Sequence, residues 1–519
     1  MGTFFNLGNG SFTQDKNSEI YIDKTELLKF LNKKLGTNGK CIAVSHARRF
    51  GKSHAAGMID AYYSLGSDSS KLFENTKIAS DPDYEKYRNK YNVIHLDISS
   101  VWDYHKEDLI ESIEERVCED FQKIYGDLLN YRRDFYLLIQ DIYSLTGIPF
   151  VIIIDEWDCV IRNSHDQALV HKYLQFLHSL FKSEESKSFL ALGYITGILP
   201  IKKIKDESAL NNFQEYTMLD SYPITEYYGF TEKEVKDLCK DYSMDFETVK
   251  AWYNGYLIDG EHMYNPNSVS QALERHKIDS YWRNTSAFDT INTFITMNYA
   301  GLKDDVMKML TGGKVRINTN TFQNDFSIIT SKDDALTALI HLGYLGYDAD
   351  RKKSFIPNYE VATAFELALQ TGSWKEIAES ISKCDELLDE TIDGNAERVA
   401  ELIELAHETY TSILKYNDEN ALSCVLTMAY FTAPAYYNVI REMPSGKGFA
   451  DFVFLPRANA GNRPAMIIEL KYNQSAETAL KQIKEKRYQG ALSEYQGKIL
   501  LVGINYDSEK HHTCMIEEL

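Results

Sequence analysis

The chain lacks the cysteine spacing of a disulfide or zinc protein. Its seven cysteines stand at positions 41, 118, 159, 239, 384, 424 and 514, without a CxxC pair. An odd number of scattered thiols argues against both a disulfide framework and a zinc site and points to reduced thiols. The thirteen histidines show neither HxxxH nor HExxH spacing, so none is assigned a metal, and the adjacent His511 and His512 are expected at the solvent surface. No apolar run approaches the roughly 20 residues that cross a bilayer, and no basic-then-apolar segment opens the sequence. The expectation is a soluble, cytoplasmic protein without a membrane partner. Internal repeats and low-complexity linkers are also missing. Positive charge is scarce: 56 Lys and Arg face 76 Asp and Glu, for a net charge of −20. That balance opposes strong nonspecific binding to polyanions, which draws on phosphate neutralisation by Lys and Arg.

What is present is size and apolar content. At 519 residues and 44% hydrophobic, the chain exceeds one domain of about 100–200 residues. Apolar runs alternate with helical patterns from 41 to 220, as in a parallel sheet covered by helices. Residues 224–300 read as helical, with FTEKEVKDLC and FETVKAWYNGY stopping at Gly255. Residues 301–375 mix helices with glycine-containing turns, in a winged-helix or a further helical module. The acidic stretch 376–416 reads as a helical connector. The expected domains are 1–222, 223–375 and 376–519.

Chemistry concentrates in two places. Asp451-Phe-Val-Phe and Ile467-Ile-Glu469-Leu-Lys471 are strand-like, and the turn-rich segment Pro456 to Pro464 lets them pair as a hairpin. Extended chain alternates faces, so Glu469 and Lys471 point to one side while Ile468 and Leu470 pack on the other. Asp451 then lies beside Glu469. Two carboxylates suit a hard cation such as Mg²⁺ or Mn²⁺, and a neighbouring lysine can orient water or neutralise a pentavalent phosphate. An ExK on a strand also occurs as a solvated edge; the upstream Asp451 and the downstream QIKEKRY helix favour a site. Lys471, Lys481, Lys484, Lys486 and Arg487 offer local positive charge, either to a substrate or to a solvated face.

The second place is Cys41-Ile-Ala-Val-Ser45, HARRFGKS and a helical stretch to about residue 64. Strand, loop and helix in this order suit a phosphate loop, with Gly51, Lys52 and Ser53 supplying its end. His46 occupies the position of the first glycine in GxxxxGK(S/T). Phe150-Val-Ile-Ile-Ile-Asp155-Glu156 resembles a Walker B strand, Asp155 placed toward Mg²⁺ and Glu156 toward water. The run Phe189 to Thr196 ends where a residue reading the terminal phosphate would stand, which makes Thr196 a candidate. Val93-Ile-His-Leu-Asp97 lies between the two motifs in sequence, as in the additional-strand class of P-loop ATPases.

GFADFVF, IIELK and a helix carrying Gln482 and Tyr488 resemble the PD-(D/E)XK nuclease superfamily. The resemblance implies that Asp451 and Glu469 bind the metal, that Lys471 is catalytic, and that Gln482 supports the site. It also implies a further acidic ligand on the preceding helix, for which Glu419 is the candidate. ARRFGKS, IIIDEWD and YITG, together with YYGFTEKEV, WYNGY and YNPNSV, resemble the AAA-ATPase-like domain of bacterial proteins that carry such a nuclease at the C-terminus. In that family the loop usually reads RPRRFGKS; here His46 and Ala47 replace Arg-Pro, while Arg48 and Arg49 are kept and are candidates for phosphate contact. The implied architecture is α/β: a P-loop parallel sheet with a helical lid, then a helical connector and a nuclease core. The implied activity is an ATP-dependent or ATP-regulated, metal-dependent nuclease acting on nucleic acid, DNA in preference to RNA, in defence or mobile-element processing. A nucleotide-dependent binding or signalling module that does not cut is the alternative. ATPases of this class often form rings, so a homo-oligomer is compatible with the resemblance.

Overall fold

In the computed structural model, the residues described are 2–126, 134–164, 166–201, 210–282, 286–297, 299–310, 312–322, 329–371, 383–414, 425–427, 429–430, 432–445, 448–457, 460–485, 492, 495, 497–508 and 511–519. The chain divides into two compact units: Met1–Asp237 with Gly255–Glu274 and Arg316–Ser354, and Leu238–Asn254 with Arg275–Val315 and Phe355–Leu519. Residues 223–375 thus contribute to both. Among the described residues, no helix is long and apolar enough to cross a membrane.

The first unit is built on five strands: β1 (Cys41–Ser45), β2 (Asn92–Asp97), β3 (Phe150–Asp155), β4 (Leu190–Gly197) and β5 (Gln214–Thr217), in spatial order β2-β3-β4-β1-β5. All pairings are parallel. Parallel strands need crossovers, and the crossovers place helices on both faces, so the inner strands must be apolar on both sides. β1, β3 and β4 are accordingly buried at every position. Ala43, Ile94, Ile152, Ile154 and Ile195 face one core, while Ile42, Val44, Val93, Ile153 and Tyr194 face another. The strand spatially between the phosphate-loop strand β1 and the acidic strand β3 is β4; the Val93–Asp97 run lies at the sheet edge.

The segment read as helical from 224 to 300 contains a β-hairpin. The helices Glu232–Asp241 and Phe246–Tyr253 are present, but β6 (Phe230–Thr231), β7 (Tyr256–Ile258) and β8 (Glu261–Tyr264) form an antiparallel sheet. Its turn is Asp259-Gly260, both with positive φ, 52° and 84°. That is the strongest short hairpin signal available, and it overrides the helical periodicity on either side. Short strands β9 (Val315–Arg316), β10 (Gly346–Asp348) and β11 (Lys353–Phe355) follow among helices in 301–375.

The second unit carries β12 (Tyr437–Ser445), β13 (Gly448–Pro456), β14 (Ala465–Tyr472), β15 (Ile499–Tyr506) and β16 (His512–Glu518), paired in that order. Only β14 and β15 run parallel, with the Ala476–Glu485 helix in their crossover. A Cβ at Gly503 on β15 would come within 2.3 Å of the Ala476 carbonyl, so glycine there lets the helix seat against the sheet. The stretch expected as a helical connector includes the helices Cys384–Ile392 and Ala396–Leu414. His512, expected at the surface, is buried; it pairs with Tyr506 in the β15–β16 ladder and its Nε2 lies 2.9 Å from Nδ1 of His407. Sheet pairing of the last strand overrides the polarity of the His511-His512 pair.

Candidate functional site

The phosphate loop joins β1 to the Lys52–Tyr63 helix, with Gly51 at its N-cap. Positive φ falls at Arg49 (67°) and Gly51 (85°), not at His46. The first position of the pattern therefore does not need glycine in this chain. The His46 ring is fully buried, with Nε2 2.9 Å from the Ser221 hydroxyl. Burial, with the Lys52 charge as second cause, pushes its pKa down to about 3, so it is a neutral packing residue. Lys52 is also buried, and its ammonium donates to the carbonyls of His46 (2.8 Å) and Ala47 (2.9 Å). Burial lowers the Lys52 pKa, against the pull of Glu156, Asp155 and Asp158.

Three segments singled out in the sequence meet this loop. The Gly229 N–H donates to the Phe50 carbonyl at 3.0 Å. Tyr256 stands edge-on to the Phe50 ring at 5.1 Å, and Asn265 Nδ2 donates to the Arg48 carbonyl at 3.4 Å. Gly229, Tyr256 and Asn265 of these segments thus contact the loop, a role their sequences did not disclose.

Asp155 ends β3 and Glu156 follows it at the cleft. The Asp155 carboxylate accepts from the Glu156 N–H at 3.0 Å and from the Thr196 hydroxyl of β4. Glu156 has φ of 53°, a left-handed conformation that a non-glycine residue adopts at some cost. Burial first, then Asp158, pushes its carboxyl above the usual carboxylate value; Lys52 and Arg162 act in the other direction. Arg162 was not singled out in the sequence, although Asp158 and Arg162 at i,i+4 on one helix face are its signal. A cleft of about 800 Å³ is lined by Arg48, Arg49, Gly51, Lys52, Ser53, Glu156 and Arg162. Arg48 and Ser53 are exposed there, Arg49 half-buried. Of the eight nucleotide-site candidates, all but Asp155 and Thr196 line this cleft, and those two meet each other. A second, more apolar pocket of about 380 Å³ adjoins the loop and is lined by Arg49, Phe50, Gly51, Met58, Tyr21 and Ile22 among others. The Tyr21 hydroxyl, Asp15 Oδ2 and Asn267 Nδ2 are buried polar atoms around it without a hydrogen bond.

In the second unit the β13–β14 register pairs Phe452 with Ile468, which by one further step sets Asp451 opposite Glu469. Asp451 Oδ2 accepts the Leu470 N–H at 2.7 Å. Glu469 is 2% exposed, and its Oε1 accepts from Lys471 Nζ at 3.0 Å and from Gln482 Nε2. Lys471 Nζ also donates to the Leu470 carbonyl at 2.9 Å. Alternation along β14 puts Glu469 and Lys471 on the face covered by the Ala476–Glu485 helix, and Ile467 on that face packs with Leu480 and Ile483. The helix thereby delivers Gln482 to Glu469. Asp451, Glu469, Lys471 and Gln482 are brought to one point; Glu419 and Tyr488 lie outside the described residues. Among the described residues no cluster of three His, Cys, Asp or Glu could hold a metal. The two carboxylates are nevertheless hard oxygen donors on adjacent strands, which fits Mg²⁺ or Mn²⁺ with water completing the shell. Of the expected basic cluster, Lys481 lies 3.7 Å from Glu485 and Lys484 pairs with Glu517; Lys486 and Arg487 lie outside the described residues.

Residues 8–205 match the family described as predicted AAA-ATPase, and residues 417–516 match the PD-(D/E)XK nuclease superfamily. An uncharacterised protein from the vnfD 5′ region of Azotobacter chroococcum mcd 1 is 24% identical over 274 residues, 51% of this chain and 50% of that protein. The chain thus spans about half the length of this curated relative. AMPPCP-bound DnaA from Aquifex aeolicus superposes with a TM-score of 0.29 at 11% identity, over 78% of this chain and 92% of that one. Aeropyrum pernix ORC1 in complex with DNA does so with 0.27 at 11% identity, over 72% and 98%. Superpositions at this level support no inference about ligands. By its family matches, the chain carries a predicted AAA-ATPase segment followed by a PD-(D/E)XK nuclease-superfamily segment.

Proposed function

We propose that the protein is an ATP-binding, ATP-hydrolysing protein whose second site cleaves phosphodiesters in nucleic acid, DNA in preference to RNA, with the nucleotide state gating the cut. The observation that carries the cleavage half is the convergence of Asp451, Glu469, Lys471 and Gln482. Lys471 and Gln482 share Oε1 of Glu469, which fixes the carboxylate and presents the lysine's positive charge beside it. Asp451 and Glu469 would hold a divalent cation, which would supply positive charge to the scissile phosphate and its nucleophile. Lys471 stabilises the charge that builds on phosphorus, and Gln482 orients Glu469.

For the nucleotide half, Lys52 leaves its loop carbonyls for the β- and γ-phosphates, and Arg48 and Arg49 add charge from the loop. Ser53 and Asp155 would hold Mg²⁺, Glu156 accepts the proton of the attacking water, and Thr196 positions Asp155. The apolar pocket lined by Phe50 and Tyr21 takes the base. A cytoplasmic setting and a role in defence or mobile-element processing accord with this reading.

A second reading keeps nucleotide binding but no cleavage. It draws on the net charge of −20 and on the ion pairs that occupy Lys481 and Lys484, which leave those lysines less charge to offer a polyanion. The deciding experiment offers single- and double-stranded DNA and RNA with Mg²⁺ or Mn²⁺, with and without ATP, to the native protein and to Lys471→Ala. Cleavage lost in the variant is expected; no cleavage by the native protein under any condition would leave the second reading standing.

A further inference from the structure

The Glu156 carboxylate is not free to act. Arg162 Nη2 lies 2.6 Å from its Oε2. The same guanidinium donates through Nε to Asp158 Oδ2 at 2.9 Å, and Arg162 is only 10% exposed. Asp158 is fully buried and its Oδ2 also accepts the N–H groups of Ile198 at 3.2 Å and Leu199 at 3.0 Å, just past the end of β4. One end of the guanidinium is therefore anchored on a fixed carboxylate, while the other end holds Glu156 at the wall of the phosphate cleft. A terminal phosphate carries more charge than a carboxylate and matches the guanidinium fork better.

Resting on the nucleotide-site reading above, we propose that Arg162 is a latch: it pairs with Glu156 in the resting site and, pivoting on Asp158, transfers to the terminal phosphate of a nucleoside triphosphate, releasing Glu156 as the base. The transfer needs only the Nη end to move. A diphosphate leaves the latch on Glu156, so the triphosphate alone arms the site. Arg162 is in this scheme a positioning residue, acting through Glu156 until the phosphate arrives.

The test is binding of ADP and of the β,γ-methylene analogue of ATP, each with Mg²⁺, measured by calorimetry on the full chain. Glu156→Gln has the same shape but no charge and frees the arginine in advance. It is expected to tighten the analogue about tenfold, the scale of a partly buried charge pair, while ADP changes by no more than about twofold. Arg162→Ala is expected to weaken the analogue about tenfold with ADP unchanged, and Arg162→Lys to recover part of the loss. In the double variant the gain from Glu156→Gln should vanish, because the latch has no second position. Equal tightening with and without Arg162, or an unchanged analogue-to-ADP ratio in Arg162→Ala, would overturn the latch. Retained ADP binding reports a folded site; if Arg162→Ala loses it, the isosteric Glu156→Gln arm decides. Failure of the native protein to bind either nucleotide would instead sink the nucleotide-site reading, and the latch with it.

Discussion

Acid should destabilise the fold through a single imidazole beside the phosphate loop. His46 is fully buried and is held neutral, with a pKa of about 3 against an ordinary 6.5. Its folded value is depressed, so the unfolded chain binds the proton first. The contribution of neutral His46 is fully present above about pH 6.5 and is lost progressively as pH falls toward 3. Each pH unit inside that window costs about 1.4 kcal/mol, so the fall from pH 7 to pH 5 removes about 2 kcal/mol. Carboxylates and the other histidines also titrate, but they are common to native protein and variant. The comparison is therefore with His46→Gln, which keeps a polar group for Ser221 and removes the titration. Urea unfolding followed at pH 7 and pH 5 should show the native protein losing about 2 kcal/mol more than the variant over the interval. Parallel pH dependence in the two proteins would refute a buried, neutral His46.

Three further outcomes follow from the two sites. Asp451→Asn keeps an oxygen for the Leu470 N–H, so its melting temperature should move by no more than a few degrees while Mn²⁺ affinity, read by calorimetry, falls at least about tenfold. Gln482→Leu removes a donor from a buried carboxylate and should cost about 1–3 kcal/mol in denaturant unfolding; an unchanged midpoint would show that Glu469 does not depend on it. Thr196→Val preserves shape but takes the hydroxyl from Asp155; hydrolysis should fall more than ATP affinity, and equal losses in both would mean that the pair serves binding alone.

Legibility varied with the range of the interaction. The apolar runs at 41, 93, 150 and 190 became β1 to β4 because two-sided burial leaves a continuous hydrophobic signature in the sequence itself. The Asp451 and Glu469 strands were equally readable, since alternation and a turn-rich tip fix which side chains share a face. Their convergence with Gln482 depended on a helix crossing, and only the family resemblance anticipated it. The β7–β8 hairpin was missed although Asp259-Gly260 marked it, because flanking helices dominated the periodicity. Arg162 was missed for a different reason: its partners Asp158 and Glu156 were close in sequence, but the turn at Glu156 that brings them onto one guanidinium has φ of 53°, and no local pattern encodes that.

The altered phosphate loop shows why a motif is better read as a set of backbone demands than as a string. Glycine is required where φ is positive or where another chain segment comes too close for a Cβ. In this loop the positive angles sit at Arg49 and Gly51, and the chain keeps the family's residues at both. At position 46 the demand is different, since the ring there fills space beside Ser221 and Tyr228. A histidine meets it, provided that it stays uncharged. Histidine at this position therefore makes the stability of the packing around the loop depend on pH. Installing the glycine of the general GxxxxGK(S/T) pattern with His46→Gly should not tighten nucleotide binding. It should instead empty a buried site and add backbone entropy to the unfolded chain, a loss of about 2–4 kcal/mol by analogy with large-to-small core substitutions. Tighter ATP binding in that variant, measured by calorimetry at pH 7.5, would mean that His46 obstructs the phosphates and that the loop seen here is not the one that binds them.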